Sequence, residues 1–148
     1  MHRNVVLNRI IFFLSLIGIV LAVYVLQSFL RQTSIVCLNS GCELVRKSPA
    51  SYLFGLLPVP AVGLVGYSLL AILSFLRSAS TKYSVLFLKI MLGIAIFGVL
   101  FVSWFTYTEI FIIKAICTWC AVSAVNMFVI FLLVGKSYLL ESKVKKGR

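Results

Sequence analysis

The sequence has little charge. Only 11% of its 148 residues are charged and three of them are acidic, whereas 62% are hydrophobic. A soluble domain of this length needs a far more polar surface, so the composition excludes that class and is typical of an integral membrane protein. A small-x-small cleavage pattern is also absent between the first apolar run and Gln27 and Arg31. We therefore expect that run to remain in the chain as an uncleaved signal anchor.

The apolar residues are concentrated in four runs. The runs are Ile10 to Leu26, Leu53 to Leu76, Val85 to Phe105 and Ile116 to Val134. Each is near the roughly 20 residues that a helix needs to cross a hydrocarbon core about 30 Å thick. We predict an all-α integral membrane protein: one membrane domain over residues 1–148, with spans at roughly 10–30, 53–76, 84–107 and 112–134.

Basic residues set the predicted orientation. Four spans put both termini and the middle loop on one side, and that side holds nine basic residues, or ten with Lys89, against four on the other. The four are Arg31, Arg46, Lys47 and Lys114. The positive-inside rule then puts the termini in the cytosol. The net charge of +11 is explained by topology and by contact with anionic lipid, and no nucleic-acid partner is expected.

The four cysteines all fall on the predicted outer side. Cys37 and Cys42 lie in the loop between spans one and two, and Cys117 and Cys120 form a CxxC pair where span four begins. Disulfides form and persist outside the cytosol, so this distribution indicates disulfide chemistry. Structural disulfides alone are the plainer interpretation. A zinc site is a weaker one, because the single histidine, His2, lies at the wrong end.

The position of the CxxC pair predicts different surroundings for its two thiols. Lys114 anchors the segment at the interface, so a helical rise of about 1.5 Å per residue places Cys117 close to water and Cys120 roughly 9 Å deep. At i and i+3 the two would share one helix face and could pair with each other. Such a dithiol could take electrons from the aqueous side and pass them to a carrier dissolved in lipid.

The loop pair lies in a segment with turn and helix signals. A turn is predicted at Asn39-Ser40-Gly41, followed by a short helix from Cys42 to Ser48 that Pro49 ends. Cys42 would then stand at a helix start, where the dipole favours the thiolate. Ser48 is equally well explained as a cap before the proline or as a functional residue.

Four polar or aromatic positions in or beside the apolar runs need their own explanation. Glu109 and Lys114 could form an interfacial ion pair, with proton transfer by Glu109 as the alternative. Asn126 is expected to make an interhelical hydrogen bond, because polar groups are costly inside a membrane. Trp119, inside the CxxC, is most simply an aromatic anchor at the interface.

The order of these motifs resembles the vitamin K epoxide reductase family. The resemblance covers essentially the whole chain and rests on "GCELVRKSPASYLFGLLPVPAVGLVGY" and "YTEIFIIKAICTWCAVSA". More narrowly, the chain is similar to prokaryotic homologues without a fused thioredoxin-like domain. The resemblance implies a four-helix bundle around a quinone of the ubiquinone, menaquinone or vitamin K type.

The resemblance also implies a role for each cysteine. Cys120 would react with the quinone, Cys117 would be its CxxC partner, Cys42 would exchange with Cys117, and Cys37 would meet the substrate. Ser48 matches a serine near the family's active site. The implied activity is a quinone-linked thiol oxidase that generates disulfides, with a periplasmic or lumenal thioredoxin-like dithiol protein as its partner.

The chain departs from the animal members of that family at two quinone contacts. Ser51 stands where they carry an asparagine, and Ala124 stands where they carry a tyrosine. These differences disfavour epoxide reduction and leave quinone reduction untouched. The loop cysteines are also separated by only four residues, closer than in the animal members. Together these features favour a prokaryotic plasma membrane; in a eukaryote, "KKGR" would fit retrieval to the endoplasmic reticulum.

Two other functions fit parts of the sequence. A second family of quinone-linked thiol oxidases has four spans and two cysteine pairs, but there the CxxC comes first, the reverse of the order here. The alternative from a different class is a non-enzymatic structural or adaptor protein with four spans and inert disulfides.

Overall fold

Four long helices dominate the structure, a computed structural model that describes residues 2–34, 36–38, 40–80 and 82–147. They are α1 (His2–Arg31), α3 (Val59–Ala79), α4 (Ser84–Tyr107) and α5 (Thr118–Lys146). Between α1 and α3 lie the short helix α2 (Gly41–Lys47), a 3₁₀ turn (Pro49–Ser51) and a two-stranded hairpin of β1 (Tyr52–Leu53) and β2 (Leu57–Pro58). A π-helix, Thr108–Ile113, continues α4. All four long helices are long and apolar enough to cross a membrane.

The long helices pack as a ring. In order around the bundle, α1 contacts α3, α3 contacts α4, α4 contacts α5, and α5 returns to α1. Side chains from all four long helices meet in one buried core, which includes Ile11, Leu70, Met91 and Ile130. Much of the outer surface is exposed and apolar, as expected for helices that face lipid. The predicted four-helix membrane bundle is therefore confirmed.

The second long helix begins later than the predicted span of 53–76. It starts at Val59, and Leu53 and Leu57 instead pair across the hairpin. Two features explain the shift: Phe54 and Gly55 have positive φ angles of 53° and 72°, and Pro58 precedes the helix in extended conformation. A left-handed turn and a residue held extended before the first helical turn are incompatible with a continuous helix. The apolar residues 53–57 therefore belong to a hairpin.

The fourth long helix also begins later than the predicted span of 112–134. Residues 108–113 extend the third long helix as a π-helix, and Lys114, with a φ of 56°, ends it. The N–H groups of Lys114 and Ala115 both donate to the Glu109 carbonyl, which closes this wide turn. After four non-helical residues, α5 begins at Thr118. Cys117 is therefore the residue before the helix, whereas the predicted span placed it within the helix.

The end of the bundle that carries both termini is tied by a buried polar network. Arg77 donates to Asn8 Oδ1 and to Glu141 Oε2, each at 3.2 Å, and Ser84 donates to Glu141 Oε1 at 3.4 Å. Asn8 and Ser74 exchange two further hydrogen bonds between side chains and backbone carbonyls. The network joins all four long helices. Closer to the middle of the bundle, Asn126 donates to the Leu14 carbonyl at 3.1 Å, which is the interhelical bond expected of it.

Candidate functional site: two cysteine pairs and an apolar cavity

The two loop cysteines are joined by a disulfide. Cys37 and Cys42 are bonded across a Cα–Cα distance of 6.4 Å. Cys42 is the second residue of α2 and is 1% exposed, whereas Cys37 is only partly buried. Of the turn predicted before α2, Asn39 lies outside the described residues, and Ser40 adopts a turn conformation. Of the two bonded sulfurs, that of Cys37 belongs to the more accessible residue.

Ser48 and Ser51 hold the chain that leaves α2. The Ser48 hydroxyl accepts a hydrogen bond from the Ala50 N–H at 3.3 Å, so Ser48 caps the 3₁₀ turn. A cap before the proline was one of the two roles that the sequence allowed for this residue. The Ser51 hydroxyl is fully buried and donates to the Val45 carbonyl. Neither serine belongs to the wall of the apolar cavity described below. Their predicted roles in catalysis and quinone binding stay predictions.

Cys117 lies where the chain enters α5. Its thiol is free and only 2% exposed, in a buried cluster with Cys42, Val45, Val59 and Phe105. This differs from the expectation that Cys117 is the more water-accessible CxxC thiol, because α2 and its neighbours cover it. The cluster brings a sulfur of the loop disulfide and a sulfur of the CxxC pair into one packed group.

The start of α5 favours ionisation of Cys117. The neighbouring Cys120 thiol, together with the backbone N–H groups of Cys120 and Trp119, lowers the pKa of the Cys117 thiol to about 7 although burial opposes this. These two amides are the second and third of the helix, the ones that have no partner within it. A thiolate is therefore readily available at Cys117, and the thiolate is the nucleophile in disulfide exchange.

Cys120 faces a cavity between the four long helices. Its thiol is free, and both Cys120 and Ala124 line the cavity wall. The wall is almost wholly apolar, and the cavity volume is about 100 Å³. One buried water needs roughly 10–15 Å³ on the same scale, so a ring-sized apolar molecule fits. Cys120, and not Cys117, is thus the CxxC residue that lines the apolar cavity.

Three polar side chains in the cavity wall were not predicted as site residues. They belong to Tyr67, Thr106 and Ser123. The Tyr67 hydroxyl donates to the Ser123 carbonyl at 2.8 Å and lies 3.1 Å from the Ser123 hydroxyl. Ser123 could have been found from sequence, because it lies three residues after Cys120 on the same helix face. Tyr67 gave a weaker signal, as one polar group in an apolar run.

Trp119 connects the loop to the CxxC helix. Its indole N–H donates to the Val36 carbonyl at 2.9 Å, next to Cys37 in the chain, and its ring packs 5.2 Å from that of Tyr24. Trp119 also lines the cavity. The expected role as a simple interfacial anchor is therefore incomplete. The hydrogen bond holds the loop segment that carries Cys37 against the start of α5.

Glu109 lies beside the CxxC pair. A carboxylate oxygen of Glu109 and the two sulfurs of Cys117 and Cys120 all lie within 4.8 Å of one another. Glu109 is 1% exposed, whereas Lys114 is exposed, and the ion pair expected between them is not formed. The π-helix and the left-handed Lys114 explain this, since they turn the two side chains to different sides. The four-cysteine zinc site is not formed either, because Cys37 and Cys42 are bonded to each other.

Comparison with known proteins agrees with this arrangement. The chain matches the Vitamin K epoxide reductase family over residues 9–134, which includes all four cysteines and all four long helices at least in part. No curated protein gives a significant match. Members of the family are membrane oxidoreductases that couple disulfide chemistry to quinones. A match over most of the chain is enough to assign it, and the protein therefore belongs to the vitamin K epoxide reductase family.

Proposed function

We propose that the protein is a quinone-linked thiol oxidase that generates disulfides in a thioredoxin-like partner. The observation that carries the proposal is the buried cluster shared by Cys42 and Cys117, with Cys120 beyond it on an apolar cavity. Two cysteine pairs are thus arranged in series between the loop and the interior of the bundle. The loop cysteines are bonded to each other, and the CxxC thiols are not.

The loop disulfide receives electrons from the partner. A partner thiolate attacks the Cys37 sulfur, the more accessible of the pair, and Cys42 leaves as the thiolate. The partner's second thiol then attacks the mixed disulfide and frees Cys37. The partner gains a disulfide, and the loop gains two electrons and two protons. Attack at Cys37 is favoured because exchange needs access as well as a thiolate.

The loop dithiol then reduces the CxxC pair in its oxidised form. The Cys42 thiolate attacks the Cys117 sulfur, and Cys120 leaves as the thiolate and takes up one of the two protons that the loop dithiol releases. Cys37 next attacks Cys42, which restores the loop disulfide and frees Cys117. The position of Cys42 and Cys117 in one cluster supports this route, and the low pKa of Cys117 makes it the better leaving group in the second step.

The cavity beside Cys120 suits a lipid-soluble quinone. Its apolar wall would hold the ring, and the hydroxyls of Tyr67, Thr106 and Ser123 would orient the carbonyl oxygens. When bound, a quinone supplies an acceptor for two electrons and two protons. Ala124 adds apolar contact in the wall. Ubiquinone, menaquinone and vitamin K quinones share this ring chemistry, and we propose that class as the oxidant.

The orientation in the membrane follows from charge. We propose that the end of the bundle with both termini faces the cytosol, because basic residues are concentrated there. The cysteines then face the periplasm of a prokaryote, where a thioredoxin-like dithiol partner could reach Cys37. This orientation puts the loop disulfide in an oxidising compartment.

The test is quinone reduction by the purified protein in detergent. Reduced thioredoxin-like protein and ubiquinone-1 are mixed with the wild type, with Cys120→Ala and with Ser137→Ala, a buried serine of α5 near the opposite end. Loss of quinone absorbance in the wild type and in Ser137→Ala, but not in Cys120→Ala, is expected. No reduction by the wild type with ubiquinone-1, menadione or several partners would favour the non-enzymatic alternative with inert disulfides.

A further inference from the structure

Glu109 is a buried carboxyl group that forms no ion pair with any cation among the described residues. It is 1% exposed, and its Oε1 atom accepts no hydrogen bond from any of them. Burying a carboxyl group without partners is costly, so such groups are rare and their presence calls for an explanation. The neutral amide of glutamine would meet the same packing needs at lower cost.

The fold aims this carboxylate at the CxxC pair. Its oxygen and the two sulfurs lie within 4.8 Å of one another. Catalytic contacts of this kind are often long in the resting protein and shorten in the reacting complex. The widened π-helical turn from Thr108 to Ile113 holds Glu109 in place, and such turns are frequent at functional sites.

Glu109 also stands next to the cavity wall. Phe105 and Thr106, four and three residues earlier on the same helical segment, line the cavity. Residues at these spacings lie on one side of a helix. Glu109 is not itself in the cavity wall, but it lies beside the dithiol and about one helical turn after two residues that border the cavity.

Few other titratable groups surround Glu109. The segment that carries it packs against α2, the 3₁₀ turn and α4. In α2, Arg46 and Lys47 are paired with Glu43 at 2.6 and 3.4 Å, and Cys42 is in the disulfide. The 3₁₀ turn brings no titratable group, and α4 carries Lys89, far along the helix, and the exposed Tyr107. Cys117 and Cys120 are thus its titratable neighbours within 4.8 Å.

We propose that Glu109 is a further catalytic residue that accepts the Cys120 proton when the CxxC disulfide forms and returns that proton on the cavity side. This inference rests on the proposed function. The Cys117 thiolate and the Cys120 thiol form an S–S bond and lose two electrons to the quinone. The Cys120 proton passes to a carboxylate oxygen of Glu109 and from there to the cavity. The quinone takes that proton and one from water, which completes the quinol.

The experiment measures one turnover. The protein is fully reduced, freed of reductant, held in detergent with EDTA so that no cation bridges the thiols, and mixed with ubiquinone-1 from about pH 5.5 to pH 9, a range that brackets carboxyl and thiol ionisation. Glu109→Gln is compared with Glu109→Asp and with Glu141→Gln, which removes the half-buried carboxylate at the other end of the bundle. The same variants are also oxidised with diamide, so that the role of Glu109 is measured without a quinone site.

The expected loss in Glu109→Gln is about 10²-fold in rate at saturating ubiquinone-1, the typical contribution of a general base. The half-saturating quinone concentration should not change, and the deficit should shrink as pH rises, because water and hydroxide then remove the Cys120 proton. Glu109→Asp should recover part of the rate, and Glu141→Gln should match the wild type.

Two results would overturn the proposal. One is wild-type rates in Glu109→Gln with both oxidants. The other is a deficit of the same factor at every pH with a lowered melting temperature, which indicates a structural role. If the wild type reacts with diamide but with neither ubiquinone-1 nor menadione, the proposed function fails. The diamide series still decides whether Glu109 accepts the Cys120 proton.

Discussion

Each end of the bundle contains a buried or half-buried carboxylate, and the two carboxylates differ in their hydrogen-bond and charge partners. At the end with the termini, Glu141 accepts hydrogen bonds from Arg77 and Ser84. At the end with the cysteines, Glu109 is more deeply buried, and its Oε1 has no partner among the described residues. One carboxylate is neutralised by a cation, and the other is left beside two thiols.

This difference separates a structural polar group from a reactive one. A buried charge with a partner locks helices together, and removing the partner is strongly destabilising. A buried carboxylate without a partner lowers stability, so its position is better explained by the chemistry of its neighbours. The end with the termini holds the bundle, and the end with the cysteines carries out the reaction.

Removing the cation at the terminal end should give the largest effect on stability. Arg77→Ala leaves Glu141 without its ion pair and Asn8 without a donor, and we expect a loss of roughly 3 kcal/mol in the free energy of unfolding. Thermal unfolding in detergent measures it. Quinone reduction by the folded fraction should be unchanged. A loss below about 1 kcal/mol, the value of an exposed ion pair, would show that the network at this end does not hold the bundle together.

Neutralising each carboxylate should change stability in opposite directions. Glu141→Gln weakens the bond from Arg77 and should cost about 1–2 kcal/mol, the usual value of a hydrogen bond to a charged group. Glu109→Gln removes an unpartnered charge and should leave stability equal or raise it by up to about 1 kcal/mol. The melting temperatures of the two variants in one detergent provide the comparison. A fall as large in Glu109→Gln as in Glu141→Gln would show that Glu109 has a stabilising partner.

The ionisation of Cys117 should depend on its neighbour. With its pKa near 7, the thiolate absorbance of the reduced protein should rise through pH 7, and Cys117→Ser should abolish that step. Cys120→Ala removes the largest cause of the shift and should move the step upward, toward the value of about 8.5 for a free thiol. Because folding lowers the pKa of Cys117, its ionisation adds to the free energy of unfolding. This contribution is fully present at pH values above the pKa of the unfolded chain and is lost as the pH falls through 7. A step unchanged by Cys120→Ala would contradict this.

The cavity should be sensitive to one glycine that the chemistry does not use. A Cβ atom at Gly18 would overlap the ring of Tyr67, whose hydroxyl bonds to Ser123. Gly18→Ala should therefore shift Tyr67 and cost about 1–3 kcal/mol of stability. The matched control is Gly135→Ala, where a Cβ has no neighbour within 4 Å. Equal melting temperatures in the two variants would show that the Tyr67 position tolerates the change.

The sequence was sufficient for the bundle and for the placement of the cysteines at one end. Long apolar runs identify spanning helices because lipid requires them, and the order of the cysteine motifs identifies the family. Helix ends were harder to predict. The hairpin before Val59 and the π-helix after Tyr107 consist of the same apolar residues as the helices, so hydropathy does not distinguish them.

The surroundings of the reactive groups could not be read from the sequence. Burial of Cys117 depends on how α2 packs over it, and the isolation of Glu109 depends on a left-handed residue at Lys114. The first is a tertiary contact between segments more than 60 residues apart in the chain. The second depends on the conformation of one residue in a non-helical turn. The polar residues of the cavity wall come from three helices, and their meeting follows only from the packing of the bundle.

The central claim is that Cys42 and Cys117 exchange directly, and trapping their bond tests it most directly. In the double variant Cys37→Ala with Cys120→Ala, only these two thiols remain. After mild oxidation with diamide, mass spectrometry of the proteolysed monomer should find the peptides of Cys42 and Cys117 joined by a disulfide. If both sulfurs stay free in the folded monomer, or form bonds only between molecules, the two pairs do not act in series and the account is wrong.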